Sequence, residues 1–290
     1  MFVTWNLSRR RWRYARPDVL VLSVGKSGRT WLRVLINKYL ALRFGVPFAL
    51  DDLAGADRRI PSIGYEHEQW SHQALASWHE RWRGKFLVPP AVLARKRVII
   101  IFRDPRDVVV SLYHQNQKRS QRRVDCSLAE FIRLSGRGVE GIVAVMNAWR
   151  ERLRNHPHCL WIRYESLRQD TAGELRRIAD FLDLPPSDPS QISGAVDFAS
   201  FDNMRALEAR GGFNRSMLKP GDPKDPDSFK VRAGRVGGYR SQFSPEDLAY
   251  LDLAVTRLDP ALAYPPTPLA EPVTPRPAEN APASAASTAP

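Results

Sequence analysis

Apolar and polar positions alternate between long runs and helical stripes along this chain. Asp18 to Val24 is a near-continuous apolar run bounded by Pro17 and Gly25. Arg97 to Phe102 is a second such run, and Cys159 to Tyr164 a third. Runs of this kind predict strands buried on both faces, the usual state of a parallel sheet. Between them the period changes. Trp31 to Phe44 is apolar almost all round, which predicts a buried helix. Helices are also expected from Pro105 to about Lys118 and from Gly141 to Arg154. Ser127/Glu130 and Thr171/Glu174 read as capping boxes opening two more, and Ser244 caps a last one. Strands alternating with helices predict an α/β fold with a central parallel sheet flanked by helices.

Residues 45–85 look irregular and read as an insertion over one face. Residues 211–240, rich in Gly, Arg and Lys, read as a long loop. The expected organisation is a basic N-terminal arm over 1–16, a single domain over 17–259, and a disordered Pro/Ala-rich tail over 260–290. There is no internal repeat.

Composition narrows the class. The chain has 290 residues, 43% of them hydrophobic, so wholesale disorder is excluded. Two cysteines exclude a disulfide scaffold and a Cys-based zinc site. The longest apolar runs fall well short of the roughly 18 residues a membrane span needs. The N-terminal charges follow a short mixed stretch, an order unlike a secretory signal. A cytoplasmic protein with reduced thiols is the expectation. Lys and Arg total 44 against 31 Asp and Glu, a formal charge of +13. That surplus predicts an anionic partner without naming it: nucleic acid, an acidic membrane or a phosphorylated small molecule. Part of it is the Arg9–Arg13 arm, which reads as a solvated segment.

The chemistry concentrates where strands end. Gly25-Lys26-Ser27-Gly28-Arg29-Thr30 joins the first strand to the buried helix. Such a turn gathers free backbone N–H groups and the positive helix end, and so binds phosphate. A Walker A loop would need Gly at position 20, where Leu20 stands, so an ordinary ATP or GTP loop is disfavoured. Arg103 ends the second strand, and Ser111 lies on the helix after it, off the Val109/Leu112 stripe. In an open parallel sheet ligands sit at the carboxyl ends of strands, so Arg103 and Lys26 point to one edge. On this segment alone, a capped helix with a structural Arg ion pair is as good a reading as a ligand site.

Together these segments resemble the cytosolic-type sulfotransferase family, which uses 3′-phosphoadenosine-5′-phosphosulfate (PAPS). Lys26 to Trp31, KSGRTW, resembles its 5′-phosphosulfate loop. Arg103 to Ser111, RDPRDVVVS, resembles its 3′-phosphate segment. Tyr164-Glu-Ser-Leu167 is similar to its YEDL, Phe198-Ala-Ser-Phe201 to its TSF, and Arg232 to Phe243 to its RKGxxGDWKxxF. The five blocks occur in the family's order. The resemblance implies a P-loop-like domain and a PAPS-dependent transfer to an acceptor hydroxyl or amine, without a metal. It implies that Lys26 acts on the leaving phosphate, with Ser27, Gly28, Arg29 and Thr30 around it. Arg103, Ser111 and Arg232 would hold the 3′-phosphate, with Ala233 and Gly234 beside them. Trp31 and Phe201 would sandwich the adenine, with Tyr164 in contact with it. The acceptor is expected to be a small molecule, glycan or lipid, not nucleic acid, and a homodimer is left open.

Three departures stand out. Ala233 replaces the family's Lys, and Ala199 replaces the Thr of TSF. No histidine follows Lys-Thr, where the family's general base often lies. His67 is the preferred base, ahead of His72 and His79, with Glu66 and Glu68 as non-histidine candidates. The competing readings are a nucleotide-dependent phosphotransferase and a basic nucleic-acid-binding protein. Trp70, Trp78 and Trp82 could line an acceptor surface or simply pack a lid.

Overall fold

The computed structural model describes residues 14–66, 77–79, 90–119, 124–185, 188–211, 222, 224–225, 228–231 and 234–267. Strand β1 spans Val19–Ser23 and leads into helix α1, Arg29–Phe44. Strand β2, Ile63–Glu66, is followed by the short α2, Pro90–Leu93, and by β3, Arg97–Phe102. Then come α3 (Pro105–Arg119), α4 (Leu128–Phe131) and α5 (Val139–Leu153). Strand β4, Cys159–Arg163, runs into α6 (Tyr164–Gln169) and α7 (Thr171–Phe181). Helices α8 (Pro189–Phe198), α9 (Phe201–Ala209) and α10 (Pro245–Val255) complete the described α-helices, beside short 3-10 turns at Leu53–Gly55, Gly238–Ser241 and Pro260–Leu262.

The four described strands are parallel, in the order β2-β1-β3-β4. Side chains alternate across the sheet and build two cores. Leu20, Leu22, Val98, Ile100 and Phe102 face one side, packing on α3, α5 and α10. Val19, Val21, Ile99 and Ile101 face the other, packing on α1, α7 and α8. This is why β1 and β3 read as unbroken apolar runs: both faces are covered, and each fully buried Leu, Ile or Val adds about 1.5–3 kcal/mol. Helix α1 supplies Leu32, Leu35, Ile36 and Leu40, all fully buried, and stops at Gly45, whose φ of 65° suits a residue without a Cβ.

Four expectations need correcting. The stretch 45–85 contains a strand, β2, paired with β1 from Val19↔Ile63 to Leu22↔Glu66. It is a strand of four residues at the edge of the described sheet, with Gly64 inside it, too short and too polar to show an apolar run. The cap of α7 is Asp170, which accepts the Gly173 N–H at 2.7 Å. Thr171 instead donates its hydroxyl to the Leu167 carbonyl, 2.8 Å away. Residues 260–267, assigned to the tail, are packed: Leu262 is buried, and Thr267 bonds to Asp252 through its N–H and its hydroxyl, both at 2.9 Å. Tyr14, assigned to the arm, is also buried. The Ser127 box forms as expected, with Glu130 N–H on Ser127 Oγ and the Glu130 carboxylate on Ser127 N–H. Among the described residues no helix is long and apolar enough to cross a membrane.

Candidate functional site

The strand order reverses between β1 and β3. After β1 the chain pairs β2 on one side, then crosses to β3 and β4 on the other. The reversal opens a crevice outside the carboxyl ends of β1 and β3, where open parallel sheets bind ligands. The segments at that mouth are the Lys26 turn after β1 and Arg103 after β3.

The turn has an unusual backbone. Lys26 has φ 68° and Gly28 has φ 92°. A side-chain-bearing residue in the left-handed region costs about 1–3 kcal/mol, and such strain gathers at functional sites. The turn aims the first N–H groups of α1 into the crevice, and the first turn of α1 has no acidic residue to neutralise them. Ser27 is fully buried, and its Oγ finds no hydrogen-bond partner among the described residues. A buried hydroxyl in that state costs about 1–3 kcal/mol unless something else accepts or donates to it.

Sheet register brings the next residues in. Phe102 pairs with Arg163, so Arg103 and Tyr164 lie side by side. The Arg103 guanidinium sits 4.4 Å from the centre of the Tyr164 ring. The same ring covers Gly28: a Cβ there would meet Tyr164 Cδ2 at 2.6 Å. Gly28→Ala therefore combines a clash with a positive φ. It is expected to cost about 1–3 kcal/mol and to push Tyr164 off the turn. Thermal unfolding and nucleotide titration of that variant check this; unchanged stability and binding would overturn it.

Trp31, one turn into α1, meets Tyr164 edge to face at 5.8 Å between centroids. Its indole N–H donates to the Ala199 carbonyl at 2.8 Å. The position where the family has Thr thus holds Trp31 through its backbone. Phe201 opens α9 and lies on Gly234, where a Cβ would come within 2.8 Å of Phe201 Cδ2. Lys26, Ser27, Gly28, Arg29, Thr30, Trp31, Arg103, Tyr164, Phe201 and Gly234 therefore belong to one connected region. Ser111 is half-buried on α3, four residues beyond Asp107 and so on the same helix face. His67, His72, Arg232 and Ala233 lie outside the described residues. His79 is exposed and stacked on the exposed Trp78 at 3.5 Å, a surface setting.

Several charged residues that sequence reasoning passed over hold the region together. Asp107 is buried and pairs with Arg103 at 3.2 Å. Arg106 is the buried structural ion pair that segment also allowed. It reaches Asp104 at 2.7 Å, Asp252 at 2.5 Å and the Pro265 carbonyl at 2.8 Å. Glu165 accepts the Asp104 N–H at 2.9 Å and the Tyr264 hydroxyl at 3.2 Å. Burial pushes its carboxyl above the usual range, against the two backbone bonds that hold it down. Burial also raises the Tyr164 phenol. The alternation of charges in RDPRD was visible in the chain; which Asp takes which Arg was not. On the β2 side, Arg29, Arg33 and Asn37 line up four residues apart on α1. Arg33 packs over the Tyr65 ring at 4.7 Å, and Tyr65 donates its hydroxyl to Asn37 at 2.9 Å. Burial raises the Tyr65 phenol strongly, partly opposed by Arg33 and Arg29.

Comparisons with known proteins bear on the family and on the fold. A family model described as "Sulfotransferase domain" matches residues 16–258. Cytosolic sulfotransferase 8 of Arabidopsis thaliana is 27% identical over 274 residues, covering 82% of this chain and 75% of that protein. Cytosolic sulfotransferase 17 of the same plant is 24% identical over 261 residues, covering 82% and 73%. Among solved structures, retinol dehydratase in complex with retinol and PAP superposes with a TM-score of 0.59 at 22% identity, covering 90% of this chain and 88% of that one. Mouse sulfotransferase SULT7A1 complexed with PAP gives 0.55 at 20% identity, covering 83% and 82%. Both share the α/β fold described above.

Proposed function

The chain belongs to the sulfotransferase domain family, and from that premise we propose that it transfers a sulfuryl group from PAPS to an acceptor hydroxyl or amine at the β1/β3 crevice. One observation carries the reading. A single ring, Tyr164, lies against both the Lys26 turn at Gly28 and the Arg103 guanidinium, so two anion-binding elements meet at one strand edge. The residues present suit the nucleotide. Ser27 Oγ and Arg103 Nε are buried polar atoms without a partner among the described residues, and both can bond an anion.

PAPS, when bound, supplies the sulfuryl group and leaves as adenosine 3′,5′-bisphosphate. The chain's own residues have three tasks. Lys26 stabilises charge on the leaving phosphate oxygen, with the N–H groups around Ser27, Gly28, Arg29 and Thr30 and the two hydroxyls. Arg103, Ser111 and Arg232 hold the 3′-phosphate, beside Ala233 and Gly234, and Trp31, Tyr164 and Phe201 hold the base. His67 takes the acceptor proton as the acceptor–sulfur bond forms and the sulfur–phosphate oxygen bond breaks. The placement of His67 directly after β2, whose last residue is Glu66, supports it, since β2 lies beside β1 at the same sheet edge. The acceptor is read as a small molecule, glycan or lipid.

Two measurements test this. Adenosine 3′,5′-bisphosphate is expected to raise the melting temperature without metal, and ATP–Mg to do little; a larger shift with ATP–Mg would overturn the reading. His67→Ala is expected to lower turnover about 10²–10⁴-fold while leaving that nucleotide shift intact. Retained turnover would take His67 out of the role.

A further inference from the structure

Two buried carboxylates lie beneath the chain on either side of the Arg232 position. Glu208, on α9, has no exposed surface. One of its oxygens accepts the Lys230 N–H at 2.7 Å and the other the Val231 N–H at 2.9 Å. Arg205, on the same helix, donates to the Val231 carbonyl at 3.3 Å and packs over Phe229 at 5.0 Å. Asp107, on α3, is buried as well. It accepts the Gly237 N–H at 2.9 Å and the Tyr239 N–H at 3.1 Å, and it pairs with Arg103. Arg103 in turn donates to the Arg235 carbonyl at 2.7 Å.

A buried carboxylate is costly, and two charge-assisted bonds to backbone N–H groups offset that cost. Glu208 spends both oxygens on backbone at an irregular stretch, and Asp107 spends both on the start of the short 3-10 turn Gly238–Ser241. The result is a pair of fixed flanks, 230–231 and 237–239, and in sequence Arg232 falls between them. Because α3 carries Asp107 and follows directly on Arg103, one flank is locked to a 3′-phosphate residue itself.

We propose that Glu208 and Asp107 are positioning residues that hold the two flanks of Arg232, Asp107 also anchoring Arg103, and so set the selectivity for a nucleotide bearing a 3′-phosphate. The inference rests on the nucleotide reading above. Neither carboxylate contacts the nucleotide; each acts through the backbone it holds, and Asp107 also through Arg103. Loss of either should weaken recognition of the 3′-phosphate while sparing the rest of the nucleotide.

Calorimetric titration of the full chain in metal-free buffer tests it, with adenosine 3′,5′-bisphosphate and adenosine 5′-monophosphate as probes. Glu208→Gln and Asp107→Asn are expected to lose about tenfold or more in bisphosphate affinity, the scale of a lost charge-assisted bond, and about twofold or less for the monophosphate. The ratio of the two affinities therefore falls. Equal losses for both probes, or none, would overturn the proposal, since a merely structural role moves both alike. If Glu208→Gln does not fold, Glu208→Asp, which keeps the charge but shortens its reach, gives the same readout; failure of both to fold assigns Glu208 to stability and also overturns it. A wild type that binds both probes equally sinks the nucleotide reading itself, and this inference with it. A wild type that prefers the bisphosphate, with variants that keep its ratio, sinks this inference alone.

Discussion

Replacing Lys26 by glycine is expected to remove turnover while leaving the fold at least as stable. Lys26 sits at φ 68°, a conformation glycine adopts without steric cost. Relief of that strain, about 1–3 kcal/mol, outweighs the roughly 0.4–1 kcal/mol that glycine's freer unfolded chain costs. The ammonium group is a different matter. A preorganised cation aimed at a developing negative charge is worth about 10²–10³ in rate. Lys26→Gly should therefore keep or raise the melting temperature and lower turnover with PAPS by about that factor. Lys26→Ala is expected to lose the rate equally without the stability gain. Lys26→Arg should recover only part, because a planar fork does not replace a compact point charge. Wild-type turnover in Lys26→Gly would remove the lysine from the leaving-phosphate role. The pair of measurements separates chemistry from folding, because the two effects have opposite signs.

Arg106→Ala is expected to destabilise the fold by several kcal/mol, as much as truncating a large buried core residue. The guanidinium is 1% exposed and ties together three stretches of chain: Asp104, Asp252, and the Pro265 carbonyl with the Thr267 hydroxyl. It also lies over the Tyr239 ring at 4.7 Å. Removing it strands a buried carboxylate at Asp104 and frees the packed 265–267 segment. Breaking a buried pair by deleting one partner costs about 3–5 kcal/mol. In a domain of this size that is about 10 °C in melting temperature. A scan of Arg106→Ala and Arg106→Lys checks it. Lysine should recover part of the loss, since it cannot bond Asp104 and Asp252 in the same fork. A drop below about 1 kcal/mol would show that the site relaxes around the missing group.

These two arginine-and-lysine segments also show what a chain alone makes legible. The 18–24, 97–102 and 159–164 runs announced their strands, because burial on both faces leaves its mark residue by residue. β2 left no such mark: at the edge of the described sheet, four residues with a glycine need no apolar run. RDPRD was legible as a charged helix start and, by resemblance, as a 3′-phosphate segment. It did not disclose that Arg103 takes Asp107 while Arg106 takes Asp104 and Asp252. Those choices depend on where α10 and the 265–267 segment come to rest. Glu208 gave no signal at all. It sits in an ordinary amphipathic helix and acquires its meaning from Lys230 and Val231, which fold onto it.

By itself, then, the sequence determined the layered α/β class, the Gly25–Thr30 turn between the first strand and the buried helix, the order of the five blocks and hence the family. Each of these is written in local spacing. The tertiary structure alone decided the strand order β2-β1-β3-β4, and with it the crevice where the Lys26 turn and Arg103 both lie against Tyr164. It decided that the tail packs as far as 267 and that Asp170, not Thr171, caps α7. It also decided which buried carboxylates hold the stretch around Arg232. For the buried charges the reason is plain. A buried charge needs a partner, and when that partner lies a hundred residues away, as for Arg106 with Asp252 or Asp107 with Gly237, only closure of the sheet and docking of its helices can choose it.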